Sequence, residues 1–400
     1  MHKQQGVTMM FNDLKMLPDD PILGLMDLYL QDTRAGKIDL GVGIYKDAQG
    51  TAPVMTAVKQ AEAWLLASQR SKAYTPTAGA PGFNEALGRL VFGQGLAPQV
   101  HGVQTPGGTG AVRLAAEFAR RAAVETVLIG TPTWAIHNTI FACASIATAG
   151  YRQLDAQGTF NLGGLLDAMA TLNAGDMLLL QASCHNPTGV DPSAEQWGAI
   201  LDQVRATGVV PVFDLAYQGF GDGLEEDTYA VRLFSEHLPV VLVAVSCSKN
   251  FGLYCERTGS LFVAGTGQAQ LPALKSHLVD LARCMWSMPP AHGAQVVSLI
   301  LHSPELAAVW RNELEQMRAR IVSLRGALVS ALEVAGVTQF PQLAGQRGMF
   351  SNLDCSPTLV ARLRSEHAIY AVGSGRLNVS GLSHDSAPSV ATALCATLGA

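Results

Sequence analysis

Charge is scarce in this chain. Only 15% of its 400 residues are Asp, Glu, Lys or Arg, against 48% hydrophobic, and the net charge is −5. The basic residues form no run, which argues against a nucleic-acid partner. Long apolar stretches are missing as well. None approaches the ~18 residues of a membrane span. No apolar segment follows the N-terminal Met-His-Lys-Gln-Gln-Gly, so no signal peptide is expected. The seven cysteines are scattered and odd in number, with no Cys-x-x-Cys pair and no zinc spacing. The expectation is of reduced thiols in a cytoplasmic protein that holds no metal. What is abundant is apolar material, enough for a large core; at roughly 150 residues per domain the length gives two or three domains.

Residues 1–20 are polar and irregular and read as an N-terminal arm. Pro21 to Leu30 has the pattern of a short amphipathic helix that starts at a proline. Ile38 to Tyr45 reads as a strand, with two glycines that let backbone approach a ligand. From about residue 50 to 265, helical patterns alternate with short apolar runs: Val127–Ile129, Met177–Gln181, Val209–Phe213, Val240–Val245 and Ser260–Ala264. These runs are too short for helices and mostly too continuous to alternate. They predict an α/β fold, a mostly parallel sheet covered by helices on both faces. From Pro304 a long helical pattern leads towards a smaller C-terminal domain.

In such sheets ligands bind at the carboxyl ends of strands, and the chemistry-bearing residues follow the apolar runs. Ser246-Cys-Ser-Lys249-Asn-Phe-Gly-Leu-Tyr-Cys-Glu-Arg257 comes after one of them. A lysine at the end of a buried strand is desolvated, which lowers its pKa and makes its neutral amine a nucleophile suited to Schiff-base chemistry. Hydroxyls and an arginine beside it suit a phosphate, and the combination suggests pyridoxal phosphate (PLP). Gly107-Gly-Thr-Gly110 opens a helical segment and would present backbone N–H groups to an anion, though no Gly-Lys-Ser/Thr makes it a Walker loop. Asp214, with Tyr217 three residues on, reads either as a helix cap and a packing tyrosine or as a partner for a pyridine nitrogen and a ring oxygen. Asn186 stands in Cys184-His-Asn-Pro-Thr-Gly189, a turn sequence whose amide could also donate to a ring hydroxyl. Arg376, between glycines, is either a surface arginine or a carboxylate clamp. Arg283 is equally ambiguous alone. Ser246-x-x-Lys249 also matches penicillin-recognising enzymes, but the Ser-Asp-Asn and Lys-Thr-Gly those require are missing.

Together these segments resemble the class I PLP-dependent aminotransferases of the aspartate and aromatic amino acid type. The similarity spans nearly the whole chain. It is carried by Asp20-Pro-Ile-Leu-Gly24, Gly41-Val-Gly-Ile-Tyr-Lys46, Gln104-Thr-Pro-Gly-Gly-Thr-Gly110, Cys184-His-Asn-Pro-Thr-Gly189, Asp214-Leu-Ala-Tyr-Gln-Gly-Phe220, Ser248-Lys-Asn-Phe-Gly-Leu-Tyr254, Met349-Phe-Ser351 and Ser374-Gly-Arg376. The resemblance implies PLP fold type I, with a large PLP-binding domain at 50–303. A small α/β domain, made of 21–49 with 304–400, would close over substrate. It implies a Schiff base on Lys249, with Asp214 on the pyridine nitrogen and His137 behind it. Asn186 and Tyr217 would contact the ring oxygen, and Trp134 would stack on the ring. Gly108, Thr109, Ser246 and Arg257 would hold the phosphate, joined by Tyr74 from the neighbouring subunit of a homodimer with shared active sites. Arg376 would bind the substrate α-carboxylate, Arg283 of the neighbour the distal carboxylate, and Val42 and Gly43 would line the substrate side.

The chain departs from the family pattern at Met285 and Trp286 after Arg283, at Thr75-Pro-Thr after Tyr74, at Cys255 and at Asn352. A more apolar rim would favour aromatic side chains. The expected activity is ping-pong transamination between an aromatic or dicarboxylic L-amino acid and 2-oxoglutarate. The alternatives are an aspartate-preferring aminotransferase and a PLP-dependent β-lyase; a non-enzymatic PLP-binding protein would be expected to lack Lys249 or Asp214.

Overall fold

The computed structural model describes residues 14–16, 21–96 and 100–399, so the expected arm lies almost wholly outside the described residues. The first helix runs Pro21–Gln31, as the proline start predicts. Strand β1 is short, Ile38–Asp39. The central sheet is built from β2 (Val100–Pro106), β3 (Thr126–Thr131), β4 (Ala147–Arg152), β5 (Met177–Gln181), β6 (Val210–Leu215), β7 (Val241–Ser246) and β8 (Thr258–Ala264). Near the C-terminus follow β9 (Phe350–Asn352), β10 (Ile369–Tyr370) and β11 (Arg376–Asn378).

The seven-stranded sheet has the order β2-β8-β7-β6-β5-β3-β4. Pairs β3–β4, β3–β5, β5–β6 and β6–β7 are parallel. The run Ser260–Ala264 departs from the parallel expectation: β8 is antiparallel to both of its neighbours. That reversal matters for the site. A parallel strand delivers its carboxyl end to one edge, and an antiparallel strand delivers its start to that same edge. Pro106 therefore pairs with Thr258, and Ser246 with Gly259, so Gly107, Ser246 and Arg257 converge.

Helices cover the sheet because their apolar positions share a face. Helix Gly107–Arg121 buries Ala111, Val112, Leu114, Ala115, Ala116, Phe118 and Ala119, in one cluster with Val103, Leu242, Ala244, Leu261 and Val263 of the strands. Helix Ala194–Thr207 starts at a capping box, Ser193 with Gln196, and ends at Gly208 with φ 72°; such a cap stabilises by about 1 kcal/mol. The long helix Pro304–Val334 begins where Ser303 Oγ accepts from Leu306 N–H. Its Trp310 donates from Nε1 to the Asn250 carbonyl at 2.7 Å and stacks on Phe251 at 4.5 Å. The segment just after Lys249 is thereby pinned to it. Among the described residues no helix is long and apolar enough to cross a membrane, and no cluster of His, Cys, Asp or Glu could hold a metal ion.

The expected strand Ile38 to Tyr45 is cut short after Asp39. Leu40 still bonds backbone to backbone, its N–H donating to Tyr370 O and its carbonyl accepting from Asn378 N–H. After it the carbonyls are taken by side chains: Gly41 O accepts from Arg376 Nη2 at 2.8 Å, and Val42 O and Ile44 O each accept from Asn378 Nδ2 at 2.7 Å. β1 pairs with β10 in parallel, and β9 with β11 antiparallel. The N-terminal segment is thus stitched to the C-terminal quarter of the chain.

Candidate active site

One cavity gathers most of the expected residues. It is lined by Gly108, Thr109, Trp134, Asn186, Asp214, Tyr217, Ser246, Lys249 and Arg257, together with Gln181, Ala216 and Ser248. All stand at one edge of the sheet. Gln181 and Asp214 are in register on β5 and β6, and Lys249 follows β7.

Lys249 meets the condition that its sequence context suggested. Burial pushes its amine down to about 8, against an upward pull from Asp214 and a further downward push from Arg257 and Arg376. Its Nζ lies 5.4 Å from the centre of the Tyr217 ring. An amine with that pKa is still mostly protonated near neutral pH, but it gives up its proton far more readily than an ordinary lysine and stays a competent base. Asp214 caps no helix; none follows it. Its Oδ2 faces His137 Nε2 at 3.0 Å, and His137 is wholly buried with Trp134 edge-on at 5.2 Å. Tyr217 is buried, its hydroxyl held protonated by desolvation, and it receives Asn186 Nδ2 at 3.5 Å.

Donors that could hold an anion converge where β2, β7 and β8 meet. Helix Gly107–Arg121 opens here with unpaired N–H groups and a favourable dipole. A Cβ on Gly107 would stand 2.6 Å from Arg257 Nη2, and one on Gly108 would stand 2.9 Å from Ser246 Cβ. The two glycines are what lets the backbone approach the guanidinium and the hydroxyl. Arg257 is braced by Tyr254 O at 3.0 Å.

Arg376 lies at the other end of the group. It is 5% exposed, stacked 4.3 Å over Phe350, and donates to Asn186 Oδ1 at 3.2 Å and Gly41 O at 2.8 Å. Among the described residues no carboxylate pairs with it, its Nε is buried without a partner, and burial lowers its pKa. A buried, uncompensated guanidinium with a spare donor suits an incoming carboxylate. Gly43 passes so close to Phe350 that a Cβ would meet the ring at 3.3 Å, and Val42 is held by Asn378. Neither lines the cavity itself. Tyr74, 88% exposed, and Arg283, also exposed, stand outside it. Arg283 donates to Ser287 and approaches Met288 Sδ at 3.3 Å.

Sequence reasoning missed Gln181, Ser248 and Thr133. Thr133 Oγ1 sits 2.8 Å from His137 Nδ1. The one available signal was a polar residue closing the otherwise apolar run Met177–Gln181.

A lysine amine poised as a nucleophile, a carboxylate one strand away, an anion cradle and a free buried arginine form a donor set that fits PLP and an amino acid. Residues 35–394 match the family model for aminotransferase class I and II, and the chain belongs to that PLP-dependent family. Among its relatives, the aromatic-amino-acid aminotransferase of Pseudomonas aeruginosa is 48% identical over 378 residues, 93% of this chain and 95% of that protein. The aspartate aminotransferase of Escherichia coli is 41% identical over 97% of this chain and all of its own length. In structure, the aromatic-amino-acid aminotransferase from Burkholderia pseudomallei covalently bound to pyridoxal phosphate superposes with a TM-score of 0.94 at 37% identity, covering 97% of this chain and 99% of that one. The architecture is that of PLP fold type I, and the activity is PLP-dependent transamination.

Proposed function

We propose that the enzyme moves the amino group of aromatic and dicarboxylic L-amino acids to 2-oxoglutarate by a ping-pong route, with Lys249 as its central catalytic residue. The observation that carries this reading is the convergence of Lys249, Asp214 and Arg257 on one cavity, with Arg376 beside it, bonded to the lining residue Asn186. The aromatic and aspartate specificities named for the relatives, and the apolar Met285, Trp286 and Met288 beside Arg283, favour a dual substrate range.

In this reading Gly108, Thr109, Ser246 and Arg257 hold the phosphate, Trp134 stacks on the ring, and Asn186 and Tyr217 donate to the ring oxygen. Asp214, backed by His137, keeps the pyridine nitrogen protonated. When bound, PLP supplies the electron sink for the substrate's Cα electron pair. Arg376 grips the α-carboxylate and orients the Cα–H bond. Lys249, as a neutral amine, takes the Cα proton and returns it at the cofactor's C4′ carbon. Val42 and Gly43 cover the substrate side and exclude water. Residues 21–49 with 304–400 act as a small domain that closes over 50–303.

Tyr74 and Arg283 complete the site of a second copy, Tyr74 at the phosphate and Arg283 at the distal carboxylate of aspartate or glutamate. A complementation test separates this from action within one chain. Lys249→Ala subunits mixed and refolded with Arg283→Leu subunits should recover aspartate turnover, because each hybrid holds one intact site. If Arg283 served its own chain, no hybrid site would be intact and aspartate turnover would stay lost.

The substrate range is tested by half-reactions. The PLP-loaded enzyme is mixed separately with aspartate and with phenylalanine, and loss of its visible absorbance is followed. Conversion by both is expected; conversion by one alone would restrict the range to that class, and conversion by neither would end the reading.

A further inference from the structure

Gln181 ties the two sides of the cavity together. It ends β5, in register with Asp214, and is 8% exposed. Its Nε2 donates to the Asn186 carbonyl at 2.8 Å, and its Oε1 accepts from the Asn186 N–H at 2.8 Å. This double grip fixes which end of the amide is which. Turned over, Nε2 would face an N–H and Oε1 a carbonyl, losing both bonds. The second Nε2 proton then points at Thr133 Oγ1, 3.4 Å away. Because the amide nitrogen has no lone pair to offer, the Thr133 hydroxyl accepts there. Its own single proton is left for His137 Nδ1 at 2.8 Å. Nδ1 is therefore an acceptor, the ring proton sits on Nε2, and Nε2 donates to Asp214 Oδ2 at 3.0 Å.

We infer that Gln181, acting through Thr133, is a positioning residue that fixes His137 as the neutral Nε2–H tautomer behind Asp214 while its other bonds set the Asn186 backbone. The inference rests on the reading of Asp214 as partner of the PLP pyridine nitrogen. A neutral imidazole leaves the full negative charge of Asp214 for that nitrogen, whereas an imidazolium would share it. The chain of donors runs one way, Gln181 to Thr133 to His137 to Asp214, and a second proton on Nδ1 would meet the Thr133 proton head on. The titratable groups facing His137 are Asp214 and His185. Burial holds His185 down to about 3, so Asp214 brings the one charge. On its other side the same amide orients Asn186, whose side chain meets Tyr217 Oη and Arg376 Nη1. One glutamine thus reaches the groups assigned to the ring nitrogen, the ring oxygen and the substrate carboxylate.

The test uses the PLP-loaded enzyme with 15N-labelled histidine, followed by NMR from about pH 6 to about pH 9. The His137 signal is assigned by its loss in His137→Asn, and PLP affinity is measured alongside by equilibrium dialysis. In the wild type His137 should stay neutral with an unprotonated Nδ1 throughout. Thr133→Val, close in shape but without the hydroxyl, should let Nδ1 take up a proton inside that range and should weaken PLP binding about two- to tenfold, the worth of one hydrogen bond. Thr133→Ser should restore both readouts. Gln181→Glu, which keeps the size but loses the donors, should shift the His137 signal as Thr133→Val does. If Thr133→Val and Gln181→Glu lowered only the melting temperature, with the His137 tautomer and PLP affinity unchanged, the inference would be overturned. Asp214→Ala in the same dialysis separates the two levels. If it left PLP affinity intact, the reading of Asp214 would fail; if it weakened binding while Thr133→Val did nothing, only the role of Gln181 would fall.

Discussion

The two arginines proposed to receive substrate carboxylates are held in opposite ways. Arg376 is buried, stacked on Phe350 and bonded to Asn186 and Gly41. Arg283 is exposed and bonded within its own helix end to Ser287. The difference follows the chemistry assigned to each. Every amino acid brings an α-carboxylate, so its receptor can be fixed in advance, and fixing it lowers the cost of ordering the complex. Side chains differ among substrates, and the arginine proposed to meet them is not locked by burial within its own chain. An enzyme for both aspartate and aromatic residues needs a rigid receptor for the shared part and a yielding one for the variable part.

The largest way to break this comparison is to remove the chemistry common to both ends. Lys249→Ala should lower turnover of every substrate by at least about 10³-fold, the scale of a lost general acid–base group, and should abolish the visible band that PLP gives on binding. Absorbance and steady-state rates check this. Next comes Arg376→Lys. A charge-assisted bond is worth about 1.5–3 kcal/mol, so kcat/KM should fall about 10- to 100-fold, equally for aspartate and phenylalanine. Unequal losses would mean that Arg376 also reads side chains.

A smaller effect tests the electrostatics of the cavity. Lys249 is held at about 8 in the folded chain, below its ordinary value of 10.5. Between those values the unfolded chain binds more protons, so folding stability should rise with pH across that window. Below it both states are protonated and the full cost of burying the charge stands. Urea unfolding of the PLP-free protein at a series of pH values measures the slope. Asp214→Asn removes the group that pulls the lysine up, so the window should open at lower pH. If the slope did not depend on Lys249, as read in Lys249→Met, the lysine would not be the group responsible.

Much of this site was legible in the sequence, for a physical reason. Ligands in parallel sheets collect at strand ends, so Asp214, Asn186 and Lys249 could be located from the apolar runs before them. The edge strands β2 and β4 were not legible because neither carries a continuous apolar run: β2 is buried from Gly102 to Thr105 but reads Val100-His-Gly-Val-Gln-Thr-Pro106. β4 is largely exposed, and its sequence Ala147-Thr-Ala-Gly-Tyr-Arg152 mixes small and polar residues. The segment after Asp39 reads as a strand from its own residues, but it leaves the ladder because side chains from β11, over 300 residues away, take its carbonyls. Gln181 escaped for the same reason. Its grip on Thr133 spans 48 positions and exists only once β3 and β5 lie side by side.

The most direct test of the two-arginine account is the ratio of kcat/KM for phenylalanine to that for aspartate in Arg283→Leu. With Arg283 as the yielding receptor, loss of a charged bond should cut the aspartate value about 10- to 100-fold and leave the phenylalanine value within about threefold, raising the ratio by more than about three. Equal losses for both amino acids, with the ratio unchanged, would contradict the account.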